Sequence, residues 1–147
     1  MANILDLVYT EKMREDEGGT YGVGVRGQLT KYPKESFTFQ IFFQTNPDIY
    51  DKLIGIAKAE LEDLAVNAPQ EKDINKVKEN LLKSHSENLE ENNYWQEIIE
   101  QYTLFGINEI KDYTSIVNKI SVDSMKQFAK QFLDNAYKKE IVQNPVR

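Results

Sequence analysis

Arg14-Glu15-Asp16-Glu17-Gly18-Gly19-Thr20-Tyr21-Gly22-Val23-Gly24-Val25 is the stretch on which the fold of this chain turns. Ahead of it, Ile4, Leu5, Val8, Tyr9 and Met13 recur at helical spacing, so residues 3–17 read as an amphipathic helix. Gly18 and Gly19 stop that helix and leave Arg14 on its last turn. Beyond Thr20 the period falls to two: over residues 20–29, Tyr21, Val23 and Val25 point one way and Gly22, Gly24 and Arg26 the other. Taken alone, an arginine at a helix C-terminus is a favourable dipole partner and a tyrosine in a strand is ordinary. The turn adds a second property. It brings the first strand residue back beside the last helical turn, so a guanidinium and a phenol can converge on one oxygen. Both are hydrogen-bond donors, which is what a developing oxyanion needs.

Working outward, a turn around Lys31–Glu35 contains Pro33, and residues 36–45 form the clearest strand. Phe37, Phe39, Ile41 and Phe43 fall on one face of it, and the two strands are expected to pair antiparallel. Asn46-Pro47 reads as an N-cap followed by proline at the first helical position of a helix to about residue 66. A further helix is predicted over 72–90, broken by Asn92-Asn93. Tyr94, Trp95, Ile98, Ile99 and Tyr102 mark the next one, which ends near Gly106. A short helix follows around 110–118, and Ser121 caps a last one striped by Met125, Phe128, Ala129, Phe132 and Leu133. Lys138–Gln143 reads as a final strand before Pro145.

The pattern is α+β: an antiparallel sheet of at most three strands packed by several helices in one partial domain, residues 1–147. So thin a sheet leaves its edges open. The expectation is that upstream chain or a partner supplies further strands, that the chain opens inside a helix because it is truncated, and that in isolation it pairs with another copy or is less stable than a complete domain.

Composition excludes several classes of function. A net charge of −6 argues against a nucleic-acid partner, which needs a basic face. With no cysteine there is no disulfide, thiolate metal site or thiol nucleophile. No apolar run is long enough to span a membrane, so no membrane partner is expected.

Four further motifs take ordinary structural readings. Gly22-Val23-Gly24-Val25-Arg26-Gly27 matches a dinucleotide fingerprint in letters, but a strand rather than a helix follows it. Its glycines read as small residues where another element approaches closely. His85, the only histidine, reads as a surface side chain, because a zinc site draws three or four ligands mostly from His and Cys. Glu15, Asp16 and Glu17 read as a solvated charge run. The Phe37–Phe43 stripe and Trp95 read as core.

Met13-Arg14-Glu15 after an apolar helix, then Gly18-Gly19-Thr20-Tyr21-Gly22-Val23 opening a strand, resembles the Arg-Tyr segment in the C-terminal half of pitrilysin/insulinase-type zinc metallopeptidases. The long Phe-rich strand, the Asn46-Pro47 helix start and the Asn93-Tyr94-Trp95 junction follow in that family's order. The resemblance covers nearly the whole chain and roughly the last two-thirds of one family domain, complete domains being larger. It implies a clamshell of two homologous halves around a peptide substrate, one half holding zinc and a glutamate base. The other half presents the arginine and tyrosine, here Arg14 and Tyr21, to the scissile carbonyl. The family's His-x-x-Glu-His string is absent from this chain. The resemblance therefore implies no cofactor here, zinc in the missing half, and no activity for this chain alone. Two other readings are a noncatalytic partner or scaffold subunit of the same fold, and a peptide-binding module using an open strand edge.

Overall fold

Leu5, Tyr9 and Met13 are four residues apart, and on an α-helix of 3.6 residues per turn such a series drifts by about 40° at each step. All three are nevertheless fully buried. The helix achieves this by changing its winding. Helix α1 (Ala2–Tyr9) continues into a π-helix (Thr10–Asp16), whose wider turns take more residues each and reverse the drift after Tyr9. The structure, a computed structural model, describes residues 1–108 and 110–144. They form two compact units: Met1–Pro69 together with the chain from Asp123 onward, and Gln70–Val122.

In the first unit, β1 (Thr20–Thr30) and β2 (Ser36–Thr45) pair antiparallel, joined by a turn that holds a cis Tyr32–Pro33 peptide. On β2 burial alternates as the pattern predicts, with Phe37, Phe39, Ile41 and Phe43 half-buried. Opposite them in the register stand Leu29, Gly27, Val25 and Val23. Helix α6 (Val122–Asn135) covers this face. The Phe128 ring meets Phe37 edge-on at 5.3 Å, and Phe132 meets Phe37 at 5.6 Å and Phe39 at 5.9 Å, the geometry aromatic quadrupoles prefer.

Helix α2 (Tyr50–Val66) buries Leu53, Ala57, Leu64 and Ala65. It is tied to α1 by the Tyr9 hydroxyl, which donates to the Ala57 carbonyl at 2.8 Å. Its start departs from the sequence expectation. Asn46 to Ile49 form a turn, with the Ile49 N–H donating to the Asn46 carbonyl at 3.2 Å, and Ile49 stands at the cap. Proline's fixed φ suits the second position of such a turn as well as it suits a helix start, and here the turn wins.

The second unit holds α3 (Glu71–Asn88), α4 (Asn92–Phe105) and α5 (Tyr113–Lys119). The break between α3 and α4 falls at Leu89–Glu91, so Asn92 is the first residue of α4 rather than part of the breaker. Gly106, in the left-handed region at φ 68°, ends α4 where expected. The Lys78 ammonium donates to the Asn118 carbonyl at 2.9 Å and ties α3 to α5.

Two further expectations are corrected. Trp95 is not core: it is exposed, and its Nε1–H donates to the Leu89 carbonyl at 2.8 Å. Residues 138–143 form no strand. Their charged side chains reach α2 instead, through Lys58–Glu140 at 2.8 Å and Lys138–Glu62 at 3.8 Å. Pro145 lies outside the described residues. No helix among the described residues is long and apolar enough to cross a membrane.

Burial, and then the charge of Glu60, raise the Tyr9 phenol well above its ordinary value near 10. A raised folded-state value favours the protonated form, so this stabilisation is complete below pH 10 and is lost as the pH climbs past 10 towards the folded-state value. Tyr9→Phe is expected to cost about 1 kcal/mol at neutral pH through the lost hydrogen bond. Urea unfolding of both proteins at rising pH checks this: the gap between them should narrow in the alkaline range. An unchanging gap would show that the hydroxyl does not titrate with folding.

Candidate functional site

Between the π-helix and β1 the chain reverses in two residues. Gly18 sits at φ 58°, a conformation that L side chains rarely adopt. The Gly19 N–H then donates back to the Met13 carbonyl at 3.1 Å. That reach is one residue longer than the bond closing an α-helix in a Schellman motif, as the wider winding requires. Gly19 is held on both sides. Its carbonyl accepts the Thr45 hydroxyl at 2.6 Å, and a Cβ built on it would lie 2.9 Å from Cδ2 of Leu53. Glu17, just before the turn, is ion-paired with Lys52 of α2.

Arg14 lies in the last turn of the π-helix and is exposed. Tyr21 is the second residue of β1 and is 100% exposed. The register explains that exposure. Thr20 faces Thr45 and Val23 faces Phe43, so β1 carries one more residue than β2 across this interval, a β-bulge. Bulges re-aim side chains. Tyr21 therefore does not share the half-buried face of Val23 and Val25, as strict alternation predicts, but stands in solvent. Thr20 stabilises the bulge: its hydroxyl donates to the Gly22 carbonyl at 2.9 Å and accepts the Gly22 N–H at 3.2 Å.

Both donors thus stand in solvent on either side of an anchored turn. Thr20, Thr45 and Lys52, which hold that turn, were not legible as site residues. Only the position of Thr20 between Gly19 and Tyr21 hints at its role, because a threonine hydroxyl can bond the backbone two residues on. Glu15 and Asp16 are exposed, in keeping with a solvated charge run.

The glycine string behaves as small residues under close neighbours. A Cβ on Gly24 would lie 2.2 Å from the Phe42 ring, and one on Gly27 would lie 3.2 Å from Phe37, whereas Gly22 faces open space. His85 is more than a surface side chain. It is half-buried, stacked on Tyr113 at 3.9 Å, with Nδ1 at 3.1 Å from the Tyr94 hydroxyl. Burial raises the Tyr113 phenol above its ordinary value. A separate cavity of about 960 Å³ lies under the half-buried face of β2, lined by Phe39, Ile41, Phe43, Ile54 and Phe132 among others.

A zinc site needs three or four ligands drawn mostly from His and Cys. One histidine and no cysteine do not fit that set. Among the described residues no group of three or more His, Cys, Asp or Glu is placed to hold a metal ion.

Residues 4–81 match the family described as the peptidase M16 inactive domain. Three solved structures share the fold, each with a TM-score of 0.68. The periplasmic protease PqqL from Escherichia coli is 15% identical, with 87% of this chain and 15% of that chain covered. A protease from Helicobacter pylori is 17% identical, with 88% and 34% covered. A peptidase M16 inactive domain from Pseudomonas fluorescens is 17% identical, with 88% and 33% covered. This chain therefore spans a third or less of the length of each, to within a percentage point. No curated protein matches the sequence.

The turn makes a direct prediction. Gly18→Ala meets no atom within 4 Å, so its cost is conformational alone, about 1–2 kcal/mol for an L residue held left-handed. Gly22→Ala, also in open space but without a positive φ, should cost clearly less. Thermal denaturation of the two variants compares them. Equal losses would remove the left-handed turn as the constraint.

Proposed function

Because the chain belongs to the peptidase M16 family, as one of its inactive domains, we propose that it forms part of the zinc-free C-terminal half of a metalloendopeptidase. In this reading residues 1–147 are a partial domain, whose sheet is completed by the rest of the parent protein. The zinc-binding half and a peptide substrate are its partners. Its own residues do not fit a metal, so the metal chemistry is assigned to the other half.

What this chain contributes is a pair of donors. The observation that carries the reading is the anchored Gly18–Gly19 turn with Arg14 on one side and a fully exposed Tyr21 on the other. An exposed tyrosine on a bulge makes little packing contribution, and the turn beneath it is fixed by Thr45 and by packing on Leu53. A rigid base under a solvent-facing phenol suits a hydroxyl that must meet something outside this chain. When water attacks a peptide carbonyl, negative charge builds on its oxygen. The Arg14 guanidinium and the Tyr21 hydroxyl would donate hydrogen bonds to that oxygen, and neither needs to give up or take a proton to do so. Such donors act mainly in the transition state, because the charge exists only there.

In the full-length parent, Tyr21→Phe should lower kcat on a fluorogenic peptide by about 10²–10³-fold, with a much smaller change in KM. Tyr21→Phe keeps the ring and removes only the hydroxyl. Arg14→Ala should act in the same direction, with thermal stability checked alongside because a helix-terminal arginine also interacts with the dipole. Folded variants with wild-type turnover would make the pair structural. A parent without peptidase activity would favour the noncatalytic scaffold.

A further inference from the structure

Helix α4 turns an apolar stripe away from its own unit. Trp95, Ile99 and Tyr102 follow one another at i, i+4 and i+7 and are 42%, 60% and 60% exposed, while Ile98 beside them is buried. The stripe runs along two helical turns, about 10 Å at 1.5 Å per residue. Its first member is fixed in place, because the bond from Trp95 Nε1 to the Leu89 carbonyl at 2.8 Å holds the indole against the end of α3. A large aromatic that is immobilised before binding loses little side-chain entropy on binding, the property of an anchor residue.

The surroundings of the stripe decide what covers it. From Ser84 to Ile110 there is no lysine or arginine, and the acids are Glu87, Glu90, Glu91, Glu97, Glu100 and Glu109. These six equal the net charge of the whole protein, −6, so the rest of the chain is neutral in sum. The five of them among the described residues are exposed. An apolar face set in so acidic a segment repels a second copy of itself. It equally repels an anionic lipid surface. It attracts a cation-bearing partner, and a stripe two turns long fits the i, i+4, i+7 anchors of a helix laid against it.

We infer that the Trp95–Ile99–Tyr102 face of α4 docks a basic amphipathic helix of a partner polypeptide. This surface is independent of the Arg14–Tyr21 pair and of any reaction. The apolar anchors of the partner cover the three side chains, and its lysines or arginines meet the glutamates around them. Charge sets the speed and choice of encounter, and the buried aromatic and aliphatic contacts set the lifetime of the complex.

Trp95 is the only tryptophan, so its emission reports directly on the face. The probe is a synthetic Leu/Lys amphipathic helix without tryptophan, and the control is its Leu/Glu counterpart. Titrated into the 147-residue chain, the Leu/Lys peptide should shift Trp95 emission to the blue, saturably, and more weakly as salt is raised. Ile99→Ser and Tyr102→Ser, both at exposed positions, should weaken binding at least tenfold while leaving thermal unfolding unchanged. Glu91→Lys combined with Glu100→Lys should weaken it and flatten the salt dependence. Equal binding by the serine variants, or by the Leu/Glu peptide, would overturn the assignment. So would a blue shift produced by raising the concentration of the chain alone, which would assign the face to a second copy. A blue shift on anionic vesicles stronger than that with the peptide would assign it to lipid.

Discussion

A left-handed glycine fixes the geometry of the first unit. Gly18 lets the chain leave the π-helix and reverse at once, and Gly19 then lies flat against Leu53 of α2, where a side chain would collide. With the turn pinned, the Met13 carbonyl is satisfied, Thr45 at the far end of β2 is drawn in to bond Gly19, and the hairpin starts in register with the helix that precedes it. The Tyr9 bond to Ala57 and the ion pair of Glu17 with Lys52 both precede this reversal and hold the helix against α2. The constraint is local in sequence but spans three elements in space. Loss of the turn would therefore disturb helix, hairpin and α2 together.

The same reversal explains why the candidate pair stands where it does. The winding before the turn carries Arg14, and the bulge after it turns Tyr21 outward. Each is a local departure from regular geometry: the π-helix widens the winding, and one extra residue lengthens β1 relative to β2. Irregularities of both kinds recur at functional sites, because a regular element would aim the side chain into its own core.

Much of this was legible in the sequence where a period was strong and uninterrupted. The alternation of Phe37, Phe39, Ile41 and Phe43 located β2 and its inward face, and apolar stripes located α1, α2, α3, α4 and α6. Gly106 ended α4 as its freedom at positive φ allows. The misses share a cause: two local solutions fit the same letters, and tertiary contacts chose between them. Asn46-Pro47 suits a turn or a cap. Residues 138–143 carry the β-branched pair Ile141-Val142, which suits a strand, yet ion pairs to Lys58 and Glu62 tie them to α2. Tyr21 alternates with Val23 until one looks at the register, which no single-strand pattern encodes. Trp95 belongs to an apolar stripe, and nothing in a lone sequence says which side of that stripe is covered. His85 was underestimated because its ring partners, Tyr94 and Tyr113, lie nine and 28 residues away along the chain and meet it only in the fold.

The Phe42 ring has an effect beyond making glycine necessary at position 24. It lies on the outward face of the hairpin, over the backbone of Gly24, which is its partner in the register. A ring in that place is a hydrophobic roof on a surface otherwise wetted by Gln40 and Gln44. Solvent reaching the amides beneath must first lift the ring, whereas towards Thr30 and Ser36 it meets no such cover. Deuterium uptake along β1 would accordingly be uneven, slowest around Gly24 and faster towards the turn. The hairpin's most durable hydrogen bonds would then lie beneath an aromatic side chain that itself faces the solvent.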